Sequence, residues 1–183
     1  MVFIVLRHGE SVWNKENRFT GLTDVLLSEN GKMEAREAGY ILRNVPFDTV
    51  FTSTLQRTID TGSIIAAQQR FDQPPRFISD TSLCERDYGN LTGKNKTELA
   101  ELYGPELVKT WRRSYFDGPP QGENLDDVTK RAGKYYDEHI APILAENRHV
   151  LLVSHGNTLR ALFVHLGIKT EKTVESFEIP TGV

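Results

Sequence analysis

Two histidines follow short apolar runs in the same way. His8 comes after the apolar residues 3–6 and Arg7, and His155 comes after the apolar residues 150–153 and a serine. Each of these histidines is followed by a glycine, Gly9 or Gly156. Arginine suits a ligand with several anionic oxygens, because the guanidinium donates a planar fork of hydrogen bonds. The imidazole beside it can act as a nucleophile. The alternative is a surface turn with a chance Arg-His pair, and the second His-Gly step counts against it.

Two further residues fit a site at these positions. Arg57 falls in the first turns of a predicted helix, and Glu85 falls in an irregular stretch. Taken separately, Arg57 could lie on a solvated helix face and Glu85 could pair with Arg86. Taken together, a histidine nucleophile, cationic groups and a carboxyl that exchanges protons are what phosphoryl transfer without a metal requires.

The surrounding pattern predicts strands that alternate with helices. Strands are predicted at residues 3–6, 48–52, 76–79, 150–153 and 176–179. Helices are predicted at residues 28–44, 55–69, 96–103, 105–113, 124–139 and 157–166, with Ala35, Ala38, Ile41 and Leu42 inward on the first of them. Pro142 is expected either to kink or to restart the long helix. This alternation indicates an α/β, three-layer sandwich with a mostly parallel central sheet and helices on both faces. Ligands bind beyond the carboxyl ends of strands in such sheets, and both histidines lie there.

Composition and length restrict the organisation and the partners. The 183 residues predict a single domain, 1–183, in which residues 80–123 form an irregular and helical insertion over the site. A net charge of −3 argues against nucleic acid and an anionic membrane as partners. The single cysteine, Cys84, permits no intrachain disulfide, and we expect it to be a small core residue in a reducing cytoplasm. The N-terminal apolar run is too short for a signal peptide or a membrane span, so a cytoplasmic protein is expected.

Long ordered motifs then identify a resemblance. The segments LRHGESVWNKENRFTGLTDVLLSENG, FTSTLQRTIDT, LCERDYGNLTGKNK, YGPELVKTWRRSY, SHGNTLRAL and IPTGV resemble the cofactor-dependent phosphoglycerate mutases of the histidine phosphatase superfamily. The resemblance implies interconversion of 3-phosphoglycerate and 2-phosphoglycerate, a step of glycolysis and gluconeogenesis, through a phosphohistidine primed by 2,3-bisphosphoglycerate, with no metal. A phosphatase of small phosphorylated metabolites and an inactive phosphate-binding module remain as alternatives.

The resemblance also implies roles for individual residues. His8 becomes phosphorylated, Arg7, Arg57 and His155 surround the phosphoryl group, and Glu85 exchanges the proton of the substrate hydroxyl. Besides Arg7, Arg57 and Glu85, the substrate-binding positions are Asn14, Thr20, Gly21, Tyr88, Lys96, Arg112, Arg113, Gly156 and Asn157. Family members normally continue past the last motif with a further strand and a polar tail, whereas this sequence stops at Val183, so the tail is expected to be either truncated here or absent in a short form. The oligomeric state stays open between monomer, dimer and tetramer.

Overall fold

A four-stranded parallel sheet forms the centre of the molecule. The computed structural model describes residues 1–182. The strands are β1 (Phe3–Arg7), β2 (Thr49–Thr52), β3 (Arg76–Ser79) and β4 (Val150–Ser154). Their order in the sheet is β1-β4-β2-β3, and each neighbouring pair is parallel. The predicted α/β architecture with a mostly parallel sheet is confirmed.

Nine α-helices accompany the sheet within residues 1–182. They are α1 (Val12–Lys15), α2 (Glu29–Leu42), α3 (Gln56–Ala66), α4 (Lys96–Tyr103), α5 (Pro105–Arg113), α6 (Leu125–Tyr135), α7 (Ala141–Ala145), α8 (Gly156–His165) and α9 (Glu171–Val174). Two short 3₁₀ segments, Thr81–Leu83 and Gly89–Leu91, lie in the region predicted as irregular. The predicted helices agree with α2 to α6 and α8 to within a few residues, whereas the single turns α1 and α9 are too short to give a periodic signal.

Successive side chains of β4 point to opposite faces of the sheet and enter two different cores. Val150 and Leu152 pack with side chains of α6, α7 and α8, and Leu151 and Val153 pack with side chains of α2 and α3. All residues of β4 are buried, as is usual for a strand in the middle of a parallel sheet. The helices therefore cover both faces and hold the strand ends on a rigid support.

The predicted strand at residues 176–179 is wrong. The backbone there is irregular, and arginine side chains bind the carbonyl groups that a neighbouring strand would otherwise pair. Arg160 Nε donates to the carbonyl of Phe177 at 2.7 Å, and Arg7 Nη1 donates to the carbonyl of Ile179 at 2.7 Å. The apolar alternation of this segment instead reflects Ile179 packing into the core with α6, α7 and α8.

Two helix predictions need adjustment. Ile41 is 74% exposed rather than inward, while Ala35 and Ala38 are buried as predicted. The long helix predicted at 124–139 ends at Tyr135, a π-helical turn occupies Tyr136–Ile140, and α7 then begins with Pro142 in its first turn. Proline has no amide hydrogen to donate to the preceding turn, so the restart at this position follows its chemistry. Within residues 1–182, no helix is long and apolar enough to cross a bilayer.

Candidate active site

Neighbouring strand ends bring the two histidines together. Arg7, the last residue of β1, pairs in register with Ser154, the last residue of β4, and a histidine follows each of them. The rings of His8 and His155 lie edge to face, with centroids 5.0 Å apart. The two side chains are buried, with His8 3% and His155 0% exposed. The sheet therefore places both imidazoles at its carboxyl edge.

The hydrogen bond of His8 defines its reactive nitrogen. Nδ1 of His8 lies 2.6 Å from the carbonyl oxygen of Gly9. A carbonyl can only accept, so we assign a proton to Nδ1, which leaves the lone pair of Nε2 free. Burial, reinforced by the positive charges of Arg57 and Arg7, holds the pKa of His8 well below its ordinary value. His8 is therefore a neutral imidazole at pH 7, as a nucleophile must be.

The two glycines that follow the histidines serve different needs. A Cβ on Gly9 would lie 2.2 Å from the carbonyl oxygen of Gly31 in α2, so Gly9 is required for close backbone packing rather than for ligand approach. A Cβ on Gly156 would meet Arg160 Nη1 at 3.3 Å and Arg7 Nε at 3.5 Å. Only the second glycine leaves room for groups that face the site.

Arg57 is buried at the start of α3. Its side chain is 1% exposed and donates to the carbonyl of Gly21 at 2.9 Å and to that of Thr23 at 2.8 Å. A solvated helix face is therefore ruled out for this residue. These bonds attach the loop around Gly21 to the strand ends and fix the guanidinium near both histidines.

Glu85 is held by backbone amides. Its Oε1 accepts from the amide of Arg86 at 2.8 Å and from that of Asn157 at 3.3 Å, and the residue is 9% exposed. The Arg86 guanidinium instead donates to the carbonyl of Trp111 at 2.7 Å and lies over the ring of Tyr88. Glu85 thus faces the site instead of pairing with the arginine beside it.

A cavity of about 190 Å³ opens over these groups. It is lined by Arg7, His8, Asn14, Arg18, Phe19, Thr20, Gly21, Arg57, Glu85, Tyr88, Lys96, Arg112, Arg113, Gly156, Asn157, Arg160 and Glu178. All the site residues that the resemblance implied are in this set except His155, which is fully buried and packs edge to face on His8. The lining is predominantly cationic, so it suits a small molecule with several negative charges.

Four lining residues were not singled out from the sequence: Arg18, Phe19, Arg160 and Glu178. Helical spacing could have identified Arg160, because it lies four residues after Gly156 in α8 and so shares its face. Phe19 lies below Lys96, whose Nζ is 5.6 Å from the ring centroid. Glu178 belongs to the segment predicted as a strand, and no local pattern marks it.

The far wall of the cavity carries a second cationic cluster, formed by Lys96, Arg112 and Arg113. Burial, with the charge of Arg112, lowers the pKa of Lys96 to about 8. Arg113 is paired with Glu178, with 2.5 Å between Nη2 and Oε1, and Arg160 lies 3.3 Å from the other oxygen of this carboxylate. The Glu178 side chain is 68% exposed, so solvent screens its pairing with these arginines.

Several buried polar atoms around His8 have no hydrogen-bond partner within residues 1–182. They include Nε of Arg7, Nε of Arg57, Oγ1 of Thr20 and Nδ1 of His155. Buried polar atoms are nearly always hydrogen-bonded, so these groups are available to bind an anion in the cavity. A phosphoryl group has several acceptor oxygens and would satisfy it. Within the same residues, no three His, Cys, Asp or Glu side chains are grouped so as to hold a metal ion.

Sequence comparison finds relatives over nearly the whole chain. A model of the histidine phosphatase superfamily (branch 1) matches residues 3–182. A 2,3-bisphosphoglycerate-dependent phosphoglycerate mutase 2 of Gloeobacter violaceus is 46% identical over 97% of this chain and 81% of its own length. A 2,3-bisphosphoglycerate-dependent phosphoglycerate mutase of Cytophaga hutchinsonii is 44% identical over 99% of this chain and 84% of its own length. The corresponding enzyme of Chlamydia muridarum is 40% identical over 99% and 90%.

Structural comparison gives neighbours with phosphatase names. A mycobacterial glucosyl-3-phosphoglycerate phosphatase complexed with VO3 superimposes with a TM-score of 0.82 at 28% identity, over 95% of this chain and 85% of that one. Bacillus stearothermophilus YhfR gives a TM-score of 0.80 at 28% identity, over 98% and 86%. The fold is therefore shared with a protein that is named as a phosphatase.

Proposed function

The chain belongs to the histidine phosphatase superfamily, branch 1, and we propose that it is a 2,3-bisphosphoglycerate-dependent phosphoglycerate mutase. It interconverts 3-phosphoglycerate and 2-phosphoglycerate, a reaction of glycolysis and gluconeogenesis. The observation that carries this proposal is a neutral, buried His8 that shares one cavity with a separate cationic cluster formed by Lys96, Arg112 and Arg113. The two sets of groups match a substrate with a phosphate and a carboxylate.

His8 attacks phosphorus through Nε2, and a phosphorus–nitrogen bond forms as the phosphorus–oxygen bond breaks. Arg7 and Arg57 bind the phosphoryl oxygens through the donors that lack partners, and they offset the negative charge of the transferring group. His155 Nε2 lies 2.8 Å from Ser53 Oγ. With the serine hydroxyl as donor, the proton of neutral His155 lies on the unpartnered Nδ1, where it can also bind the phosphoryl group.

Glu85 protonates the leaving oxygen and removes the proton from the hydroxyl that attacks the phosphohistidine later. Its carboxylate is placed by the amides of Arg86 and Asn157. Tyr88 and Asn157 are joined by a hydrogen bond of 2.9 Å and, with Asn14, Thr20 and Gly21, complete the polar lining that binds substrate.

The cationic lining and the unpartnered donors fit 2,3-bisphosphoglycerate, which supplies the first phosphoryl group to the enzyme. Arg7 and Arg57 would hold its phosphoryl group near His8, and Lys96, Arg112 and Arg113 would hold the rest of the molecule. We propose that the reaction needs no metal, because arginines already supply the positive charge. Full activity after exhaustive chelation is expected, and a loss restored by magnesium, manganese or zinc would contradict this.

Three other assignments remain proposals. We propose a cytoplasmic enzyme, in keeping with the buried free thiol of Cys84, and one whose partners are phosphoglycerates rather than nucleic acid or membrane. Residues 80–123, which include α4, α5 and Glu85, form the insertion over the site within one domain. Size-exclusion chromatography with light scattering would distinguish a monomer from a dimer or a tetramer.

The second candidate function is a phosphatase, which the structural neighbour named glucosyl-3-phosphoglycerate phosphatase favours. Both chemistries use a phosphorylated His8, and they differ in whether substrate or water accepts the phosphoryl group. Isomerase activity and phosphate release should be measured on one preparation with 2,3-bisphosphoglycerate present. We expect isomerisation to exceed phosphate release by orders of magnitude. Rapid phosphate release without isomerisation would assign the phosphatase, and neither activity would indicate a binding module.

A further inference from the structure

Arg131 lies outside the active-site cavity, yet all five N–H groups of its guanidinium are used. Nε and Nη2 bind the two carboxylate oxygens of Glu123 at 2.8 and 2.9 Å, which is a bidentate pair. Nη1 donates to the carbonyls of Ser82 and Cys84 at 2.8 and 2.9 Å, and Nη2 also donates to the carbonyl of Glu85 at 3.1 Å. One side chain of α6 therefore binds three carbonyls of the segment that carries Glu85.

Glu123 extends this attachment to the far side of Glu85. Its Oε2 accepts from the amide of Asp87 at 2.9 Å, and its own amide donates to the Asp87 carbonyl at 3.0 Å. The Arg131–Glu123 pair thus binds backbone atoms both before and after Glu85. The pair is itself largely buried, with side-chain exposures of 23% for Arg131 and 27% for Glu123.

The segment needs such an attachment because it has no strand or helix partner of its own between Cys84 and Asp87. The carbonyl groups of this segment must therefore accept hydrogen bonds from side chains. Besides Arg131, the Ser154 hydroxyl donates to the carbonyl of Leu83 and the Thr158 hydroxyl donates to that of Cys84. These two bonds fix the segment to β4 and α8, whereas the carbonyl of Glu85 itself is bound by Arg131. The position of the Glu85 backbone therefore depends on α6.

We propose that Arg131, paired with Glu123, is a positioning residue for the proton transfer by Glu85. This rests on the proposed function, in which Glu85 protonates the leaving oxygen. Lysine at position 131 would keep the positive charge but cannot form the bidentate pair and the three carbonyl bonds together. The Glu85 carboxyl would then be displaced, and misplacement of a catalytic group by about 1 Å costs on the order of 10²-fold in rate.

The test compares two phosphoryl donors in the first turnover, with rapid quenching and measurement of phosphate on His8. The leaving alkoxide of 2,3-bisphosphoglycerate needs a proton from Glu85, whereas the phenolate of p-nitrophenyl phosphate leaves without one. We expect Arg131→Lys to slow phosphorylation by 2,3-bisphosphoglycerate by about 10²-fold and phosphorylation by p-nitrophenyl phosphate by less than about 3-fold. A variant that slowed both donors equally would overturn the proposal.

Two controls separate positioning from general loss of structure. Leu144→Val truncates a core side chain of α7, which precedes the amino end of β4 and so lies far from the site. This variant should not change the ratio of the phosphorylation rates with the two donors. In a Glu85→Gln background, Arg131→Lys should slow phosphorylation by 2,3-bisphosphoglycerate by less than about a further 3-fold, because no acidic carboxyl is left to position. A further loss of about 10²-fold in that background would contradict the proposal.

The same experiment distinguishes the failure of this proposal from the failure of the proposed function. If Glu85→Gln alone slows both donors equally, Glu85 is not the proton donor, and the function assigned to it is wrong. If Glu85→Gln is selective for 2,3-bisphosphoglycerate but Arg131→Lys is not, the acid is correctly assigned and the positioning role of Arg131 is wrong.

Discussion

Acid should destabilise the fold through its two buried histidines, and replacing His8 should remove about half of that effect. The pKa values of His8 and His155 are well below 6.5, chiefly because of burial and secondarily because of the charge of Arg57. The unfolded chain binds a proton at each histidine below about pH 6.5, while the folded chain does not. The free energy of unfolding therefore falls as the pH drops from that value towards the folded-state pKa.

The magnitude follows from linkage. At pH 5.5, one unit below an unfolded pKa of about 6.5, each histidine that stays neutral in the fold lowers the free energy of unfolding by about 1.4 kcal/mol. The pair therefore lowers it by about 2.8 kcal/mol. This is a large part of a total stability of roughly 5–15 kcal/mol. At pH 7.5 the same groups cost about 0.1 kcal/mol, because the unfolded histidines are then mostly neutral as well.

Urea unfolding at pH 7.5 and at pH 5.5 measures this effect. Between pH 7.5 and pH 5.5, we expect the free energy of unfolding of His8→Asn to fall by about 1.3 kcal/mol less than that of the wild type. His139→Asn removes an imidazole that is exposed on the surface, and its loss should equal that of the wild type. An equal loss in His8→Asn and the wild type would refute the reasoning, because His8 would then not be held neutral by the fold.

Three other perturbations test the site and the backbone packing beside it. With a pKa of about 8, Lys96 should lose its charge as the pH rises, so the KM for 3-phosphoglycerate should increase about 10-fold per unit above pH 8, and Lys96→Arg should remove this dependence. Replacing Arg112 and Arg113 together by alanine should lower isomerisation far more than hydrolysis of 2,3-bisphosphoglycerate; a parallel fall would show that they only maintain the site. Gly31→Ala would place a Cβ 2.0 Å from the Glu10 carbonyl, so thermal denaturation should show a loss of at least about 2 kcal/mol, and a change below 0.5 kcal/mol would contradict the packing argument.

Much of the sheet could be predicted from the sequence because its strands are short apolar runs that end in polar residues. β4 is the clearest case, since all its side chains are buried and the run from Val150 to Val153 is uniformly apolar. The segment around Phe177 alternates apolar and polar residues, which also predicts a strand, but it does not form one. Its carbonyls are bound by Arg7 and Arg160, which are distant in the chain, so no local pattern could have shown this.

The site residues indicated by the sequence line one cavity, apart from His155, but the contacts between them could not be predicted. Motifs at the strand ends indicated His8 and His155, and the parallel pairing of β1 and β4 brings them together. The pairing of Glu178 with Arg113 and the attachment of the Glu85 segment by Arg131 depend on contacts across the fold. Contacts of this kind join residues through side-chain geometry, which spacing along the chain does not determine.

The central claim is that a ring nitrogen of His8 carries the phosphoryl group. Incubation with 2,3-bisphosphoglycerate, quenching at alkaline pH and mass spectrometry of the digested protein measure it directly. We expect one phosphate per chain on the peptide that contains His8, bound through a ring nitrogen, and none on this peptide after His8→Ala, which should also lose essentially all turnover. Phosphate on Ser11 or Cys84, or an unphosphorylated His8 in a preparation that isomerises phosphoglycerate, would contradict the account.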